Sequence, residues 1–110
     1  MKLNLLSGSN KCPLSVSYEH HKEESKKLII YNISSNTIKS SEIKLLNANK
    51  QTYSYKRERL EKKTGNLLDY CKEPDLEGNL FSGKLESVII QCSFGKFKFS
   101  PETDQKFNLI

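Results

Sequence analysis

The sequence predicts an all-β fold, a small antiparallel barrel or sandwich of six to eight short strands. Three observations carry that expectation. Between breakers, the apolar residues recur mainly with period two. Turn residues interrupt them at the spacing of roughly 8–12 residues typical of such folds. The run Leu80 to Phe99 is rich in the β-branched and aromatic types that suit a pleated surface. One short helix within residues 56–72 is the open alternative, which would make the fold α+β.

In chain order, Leu14, Val16 and Tyr18 alternate with Ser15, Ser17 and Glu19, a half-buried strand starting after Pro13. His20 to Lys27 is charged and reads as a turn. Lys27-Leu28-Ile29-Ile30-Tyr31-Asn32-Ile33 is β-branched and aromatic, apolar on both faces at its centre, which suits a central strand. Ser34 to Thr37 turns the chain, and Ile43 and Leu45 alternate with Glu42 and Lys44 in a third strand.

Residues 52–71 read in two ways. As strands, Tyr53, Tyr55, Arg57 and Arg59 share a face, Lys63-Thr64-Gly65-Asn66 turns, and Leu67 to Cys71 pairs back as a hairpin. As a helix, Leu60, Thr64, Leu67, Leu68 and Cys71 form one stripe. Gly65 favours the hairpin, because glycine costs about 1 kcal/mol against alanine inside a helix. The charge pattern agrees: residues 51–66 carry a net +3 and residues 67–87 a net −3, so a basic arm can meet acidic residues downstream.

Pro74, Asp75 and Gly78 mark a loop. Val88, Ile90, Cys92 and Phe94 then share one face, and after Gly95 the phase shifts to Phe97 and Phe99. A change of phase at a glycine signals a turn or bulge, here placed at Phe94-Gly95-Lys96-Phe97. Phe107-Asn108-Leu109-Ile110 is apolar enough to dock on the body.

The chain of 110 residues reads as a single domain, residues 1–110. It lacks the apolar run of a signal peptide or a transmembrane helix, so a cytoplasmic protein without membrane insertion is expected. The three cysteines, Cys12, Cys71 and Cys92, contain no Cys-x-x-Cys pair. Cys92 reads as a small core residue, Cys12 as the exposed thiol, and a Cys71–Cys92 disulfide has no motive in a reducing compartment. Asn32-Ile33-Ser34 matches a glycosylation acceptor by chance.

No residues form a recognisable catalytic or cofactor site. His20 and His21 are adjacent and, on an extended chain, face opposite ways, so no metal is expected there. Leu6-Ser7-Gly8-Ser9-Asn10-Lys11 is too short for a phosphate-cradling loop. Acidic pairs such as Glu23-Glu24 and Asp75/Glu77 lack the apolar setting a general acid needs.

The net charge of +5 suggests a polyanion, but only two of 18 basic residues, Arg57 and Arg59, are arginines, the side chain that forks onto phosphates and bases. Tyr53-Ser54-Tyr55-Lys56-Arg57-Glu58-Arg59 is the strongest binding candidate: Tyr53, Tyr55, Arg57 and Arg59 alternate strictly, with Lys56 among them. Tyrosine and arginine dominate binding hot spots, and stacked tyrosines beside cations also suit single-stranded nucleic acid. The structural alternative packs the tyrosines and pairs the arginines with the acidic arm. The expected function is a non-catalytic binding or adaptor module, of inhibitor or assembly-factor type, whose partner is another protein. A basic nucleic-acid-binding barrel and a small-ligand β-barrel are the alternatives.

Overall fold

In the computed structural model, residues 12–19, 27–101 and 106–110 are described, and they form eight strands. These are β1 (Leu14–Tyr18), β2 (Leu28–Asn32), β3 (Ile38–Asn47), β4 (Thr52–Leu60), β5 (Thr64–Leu68), β6 (Leu85–Cys92), β7 (Gly95–Pro101) and β8 (Phe107–Leu109). They build two antiparallel sheets, one in the order β1-β2-β5 and one in the order β4-β3-β6-β7-β8. The fold is all-β and sandwich-like; the sheets do not close into a barrel. An isolated bridge, Ser17 to Lys106, links β1 to the start of β8. No helix occurs among the described residues, and none therefore is long and apolar enough to cross a membrane.

Alternation sets the inner faces. Leu14 and Val16 on β1, Leu28 and Ile30 on β2, Ile43 and Leu45 on β3, and Val88 and Ile90 on β6 are buried in one core shared by both sheets. β8 brings Phe107 into that core, as the apolar tail suggests, and its ring lies 4.9 Å from that of Tyr18.

Two strands change facing along their length. β3 and β4 stay in one-to-one register, yet Ile38 and Leu60 point inward out of phase with Ser41, Ile43, Tyr53 and Tyr55. Between the two phases Ser40 takes φ 55°, a left-handed conformation that rotates the ribbon by one residue. In β6, Glu86 is an extra residue between the pairs Leu46–Ser87 and Asn47–Leu85. This bulge lets Ser87 and Val88 both be buried.

Two expectations need correction. Residues 52–71 contain neither a helix nor a hairpin. β4 pairs with β3 and β5 with β2, so the turn at 61–63 carries the chain from one sheet to the other. The helical stripe was illusory: Leu60 and Leu68 are buried, while Thr64, Leu67 and Cys71 are exposed. Gly65 is not in the turn but lies in β5 opposite Tyr31, where a Cβ would sit 2.7 Å from Ile29 Cγ2. The β6–β7 turn is centred on Ser93-Phe94, because Cys92 pairs with Gly95, and Gly95 at φ 134° opens β7. β2 is the central strand of its sheet, as expected, and its Leu28/Ile30/Asn32 face is the covered one.

Candidate functional site

β4 carries the residues singled out for binding, and the structure separates them. Tyr53 and Tyr55 point into the core, where Tyr55 is 1 % exposed. The Tyr53 ring packs at 4.9 Å on Phe81, and its hydroxyl lies 3.3 Å from Ser82 Oγ. Tyr55 donates to the Glu73 carbonyl at 3.3 Å. Burial, reinforced by the nearby Asp75 and Glu73 carboxylates, pushes its phenol up to about 12.

Arg57 follows on the same strand face and is half-buried. Its guanidinium forks onto Glu73 at 2.9 and 2.8 Å and reaches the Leu67 carbonyl at 3.4 Å. The hydrogen-bonded Arg57 holds the Glu73 carboxyl below its ordinary value. This is the meeting of basic arm and acidic segment that the charge pattern suggested. Arg59 pairs with Glu61 at 3.0 Å at the surface, where such a pair contributes little. Lys56 is exposed opposite Glu42. Thus the five residues do not share an exposed face: two are core, one is a latch, and two are surface.

The segment after β5 covers the free edge of β4. Leu76 N–H donates to the Ser54 carbonyl at 2.8 Å, and Ser54 N–H donates to Asp75 Oδ2 at 3.3 Å. Asp75 Oδ1 also accepts from Glu77 N–H at 3.0 Å and Asn79 N–H at 2.8 Å. These donors, the Asn79 amide foremost, lower its pKa. A carboxyl so held is ionised and structural, the opposite of a poised general acid.

Two buried asparagines play the same part. Asn32 Nδ2 donates to the Leu60 and Asn36 carbonyls, both at 2.9 Å, while Oδ1 accepts from Ser34 N–H and Oγ. Asn47 Nδ2 donates to Gln51 Oε1 and the Ser82 carbonyl, both at 2.8 Å, and Oδ1 accepts from Asn49 and Gln51 N–H. In all three anchors the side chain accepts from the amide two residues on, the Asx-turn geometry. The Nδ2 that a glycan would need at Asn32 is committed inside the core.

Cys92 lies against the core as expected, but the exposed thiol is Cys71 and not Cys12; Cys12 and Cys92 are both half-buried. Cys12 Sγ donates to the Leu14 carbonyl at 3.4 Å, and burial pushes its pKa up, which disfavours the reactive thiolate. None of the three forms a disulfide. Among the described residues no three His, Cys, Asp or Glu side chains gather as a metal site; His20, His21, Glu23, Glu24 and residues 6–11 lie outside the described residues. A depression of about 490 Å³ between Gln51–Tyr53 and Asn79–Leu80 is open to solvent.

The charge pattern gives no sign of a further feature, the outer face of the three-stranded sheet. Ile29, Tyr31 and Leu67 point away from the core there, with Ile29 paired to Leu67 and Tyr31 to Gly65. Ile33 continues the alternation one step beyond β2. Tyr31, Ile33 and Leu67 are 37, 49 and 49 % exposed. The Tyr31 ring leans over Gly65, and its hydroxyl donates to the Lys63 carbonyl at 3.3 Å. The signal was present in the sequence as the two-sided apolar character of residues 28–33. Comparison with protein-family models, with curated proteins and with solved structures finds no match.

Proposed function

We propose that this protein is a non-catalytic binding module whose partner is another protein, and that it binds through the outer face of the sheet β1-β2-β5. The observation that carries the reading is the row Ile29, Tyr31, Ile33 and Leu67. An antiparallel sheet with one solvated face ordinarily places polar residues on that face. Here the face carries aliphatic and aromatic side chains instead, and no described element covers them. Clustered exposed apolar residues with an aromatic at the centre are the material of a protein interface. The polar flank supplied by Ser15 and Ser17 on β1 gives the patch a wet rim. We assign the module to the cytoplasm on the same footing, since thiols outside any disulfide suit a reducing compartment.

The test is affinity capture with matched variants. Ile33→Asp combined with Leu67→Asp removes the apolar row; Lys56→Ala combined with Arg59→Ala removes the exposed part of the β4 motif. Loss of the captured protein with the first pair and its retention with the second supports the reading. The reverse pattern returns binding to β4. Capture of nucleic acid, lost as salt rises, would replace it with the polyanion alternative.

A further inference from the structure

We infer that the outer face of the five-stranded sheet is a second docking surface, one that takes an acidic protein segment. The register fixes which side chains share that face. One row across the strands runs Lys56, Glu42, Gln91, Lys96. The next runs Ser54, Lys44, Ile89, Lys98, and Ile110 extends it through its N–H bond to the Lys98 carbonyl. Leu46 follows beside Lys44 on β3. The inward neighbours of these residues, Ile43, Leu45, Tyr55, Val88 and Ile90, are the core, so the rows face outward.

Four lysines therefore stand in these two rows with one carboxylate, Glu42. The ion pairs seen among the described residues lie elsewhere: Lys27 with Glu19, Lys50 with Glu86, Arg57 with Glu73 and Arg59 with Glu61. Lys44, Lys56, Lys96 and Lys98 are in no ion pair among the described residues, so their charge is available to a partner. Lys44 and Lys98 flank Ile89 from the two adjacent strands, about 10 Å apart at the ordinary strand spacing. Lys96 and Lys98 are two residues apart on one strand, about 7 Å, which equals the repeat of same-side side chains on an extended segment. Half-buried Ile89 and Leu46 supply an apolar centre within the basic ring. The complement is a segment in which Asp or Glu flanks aliphatic residues.

The chemistry of the face separates this partner from nucleic acid. No aromatic side chain stands in either row to stack on a base, and neither row contains arginine to fork onto a base edge or phosphate. This surface is on the other sheet from the apolar face described above and stands or falls independently of it.

The probe is a fluorescein-labelled synthetic peptide alternating glutamate and leucine, followed by anisotropy at low salt, with an oligo-dT strand of equal charge measured alongside. Lys44→Glu with Lys98→Glu reverses the face. Lys62→Glu with Lys72→Glu makes the same change in net charge off it. Wild-type protein is expected to bind the peptide more tightly than the oligonucleotide. The face variant is expected to lose about tenfold in affinity, and the off-face variant less than twofold. Should circular dichroism show the face variant misfolded, Lys44→Gln with Lys98→Gln takes its place, with an expected loss of about threefold. Equal losses in the two variants, tighter binding of oligo-dT, or no binding of the peptide by the wild type would each overturn the inference.

Discussion

Asn32→Asp is the sharpest probe of how the two sheets are held together. The substitution keeps shape and volume, so no cavity term enters. Asn32 is fully buried, and its Nδ2 is the donor that joins β2 to the Leu60 carbonyl at the end of β4. In the variant that donor becomes an oxygen facing two carbonyls. Two hydrogen bonds of about 1 kcal/mol each are lost, and the Leu60 carbonyl is left with an unmet desolvation cost of about 1–2 kcal/mol. The Ser34 N–H and hydroxyl still reach the retained oxygen, which offsets part of the burial of a new negative charge. The net loss at pH 7 is about 3–4 kcal/mol, a large share of the roughly 5–15 kcal/mol that hold a domain folded. The pH dependence has a definite sign. Burial beside carbonyls raises the folded pKa of the new carboxyl above its unfolded value of about 3.9. The deficit against wild type is therefore complete at neutral pH and shrinks as pH falls through the raised value, because the protonated group donates again. Urea unfolding at pH 7 and pH 4.5 measures both, with exposed Asn108→Asp as the control expected within about 0.5 kcal/mol of wild type. A deficit below about 1 kcal/mol at pH 7, or one that grows as pH falls, would refute the role given to Asn32.

Further outcomes follow from the same contacts. Gly65→Ala forces Ile29 Cγ2 off a 2.7 Å approach, with an expected loss of about 1–3 kcal/mol in thermal or urea unfolding; unchanged stability would mean β5 can slide. A double-mutant cycle on Arg57→Ala and Glu73→Ala should give a coupling of about 0.5–1 kcal/mol at pH 7, kept small by the partial exposure of both side chains. Because the Glu73 pKa is lowered in the folded state, that coupling is complete above the unfolded carboxyl value and fades as pH falls through the lower folded one. The phenols of Tyr55 and Tyr70, both raised mainly by burial, should ionise only as the chain unfolds in alkali; ultraviolet titration against circular dichroism checks this, and early ionisation would place them at the surface.

The strands were legible because β1, the centre of β3, and β6 and β7 each bury one face and so write a period of two into the sequence. The partners of β4 and β5 were not. Tyr53 to Leu68 looks like a hairpin locally, and only the long-range pairing of β4 with β3 and of β5 with β2 shows the chain passing between sheets. Gly65 misled for a related reason: glycine is required by a long-range neighbour, Ile29, and not by a local turn. The binding candidate on β4 failed as a surface because alternation fixes that Tyr53, Tyr55 and Arg57 share a face but not whether that face is inside. The adjoining acidic stretch was the better guide, since Glu73 and Asp75 are what close over β4. The two-sided apolar character of β2 is visible in the sequence, and in the fold it leaves Tyr31 and Ile33 exposed on the outer face.

The most direct test of the proposed binding face is carbene footprinting of the protein alone and in complex with its captured partner. Labelling at Tyr31, Ile33 and Leu67 is expected to fall on complex formation, while Leu76, Leu80 and Phe94, exposed elsewhere, stay unchanged. Full labelling of the β2–β5 face in the complex, with protection confined to Leu76, Leu80 or Phe94, would contradict it.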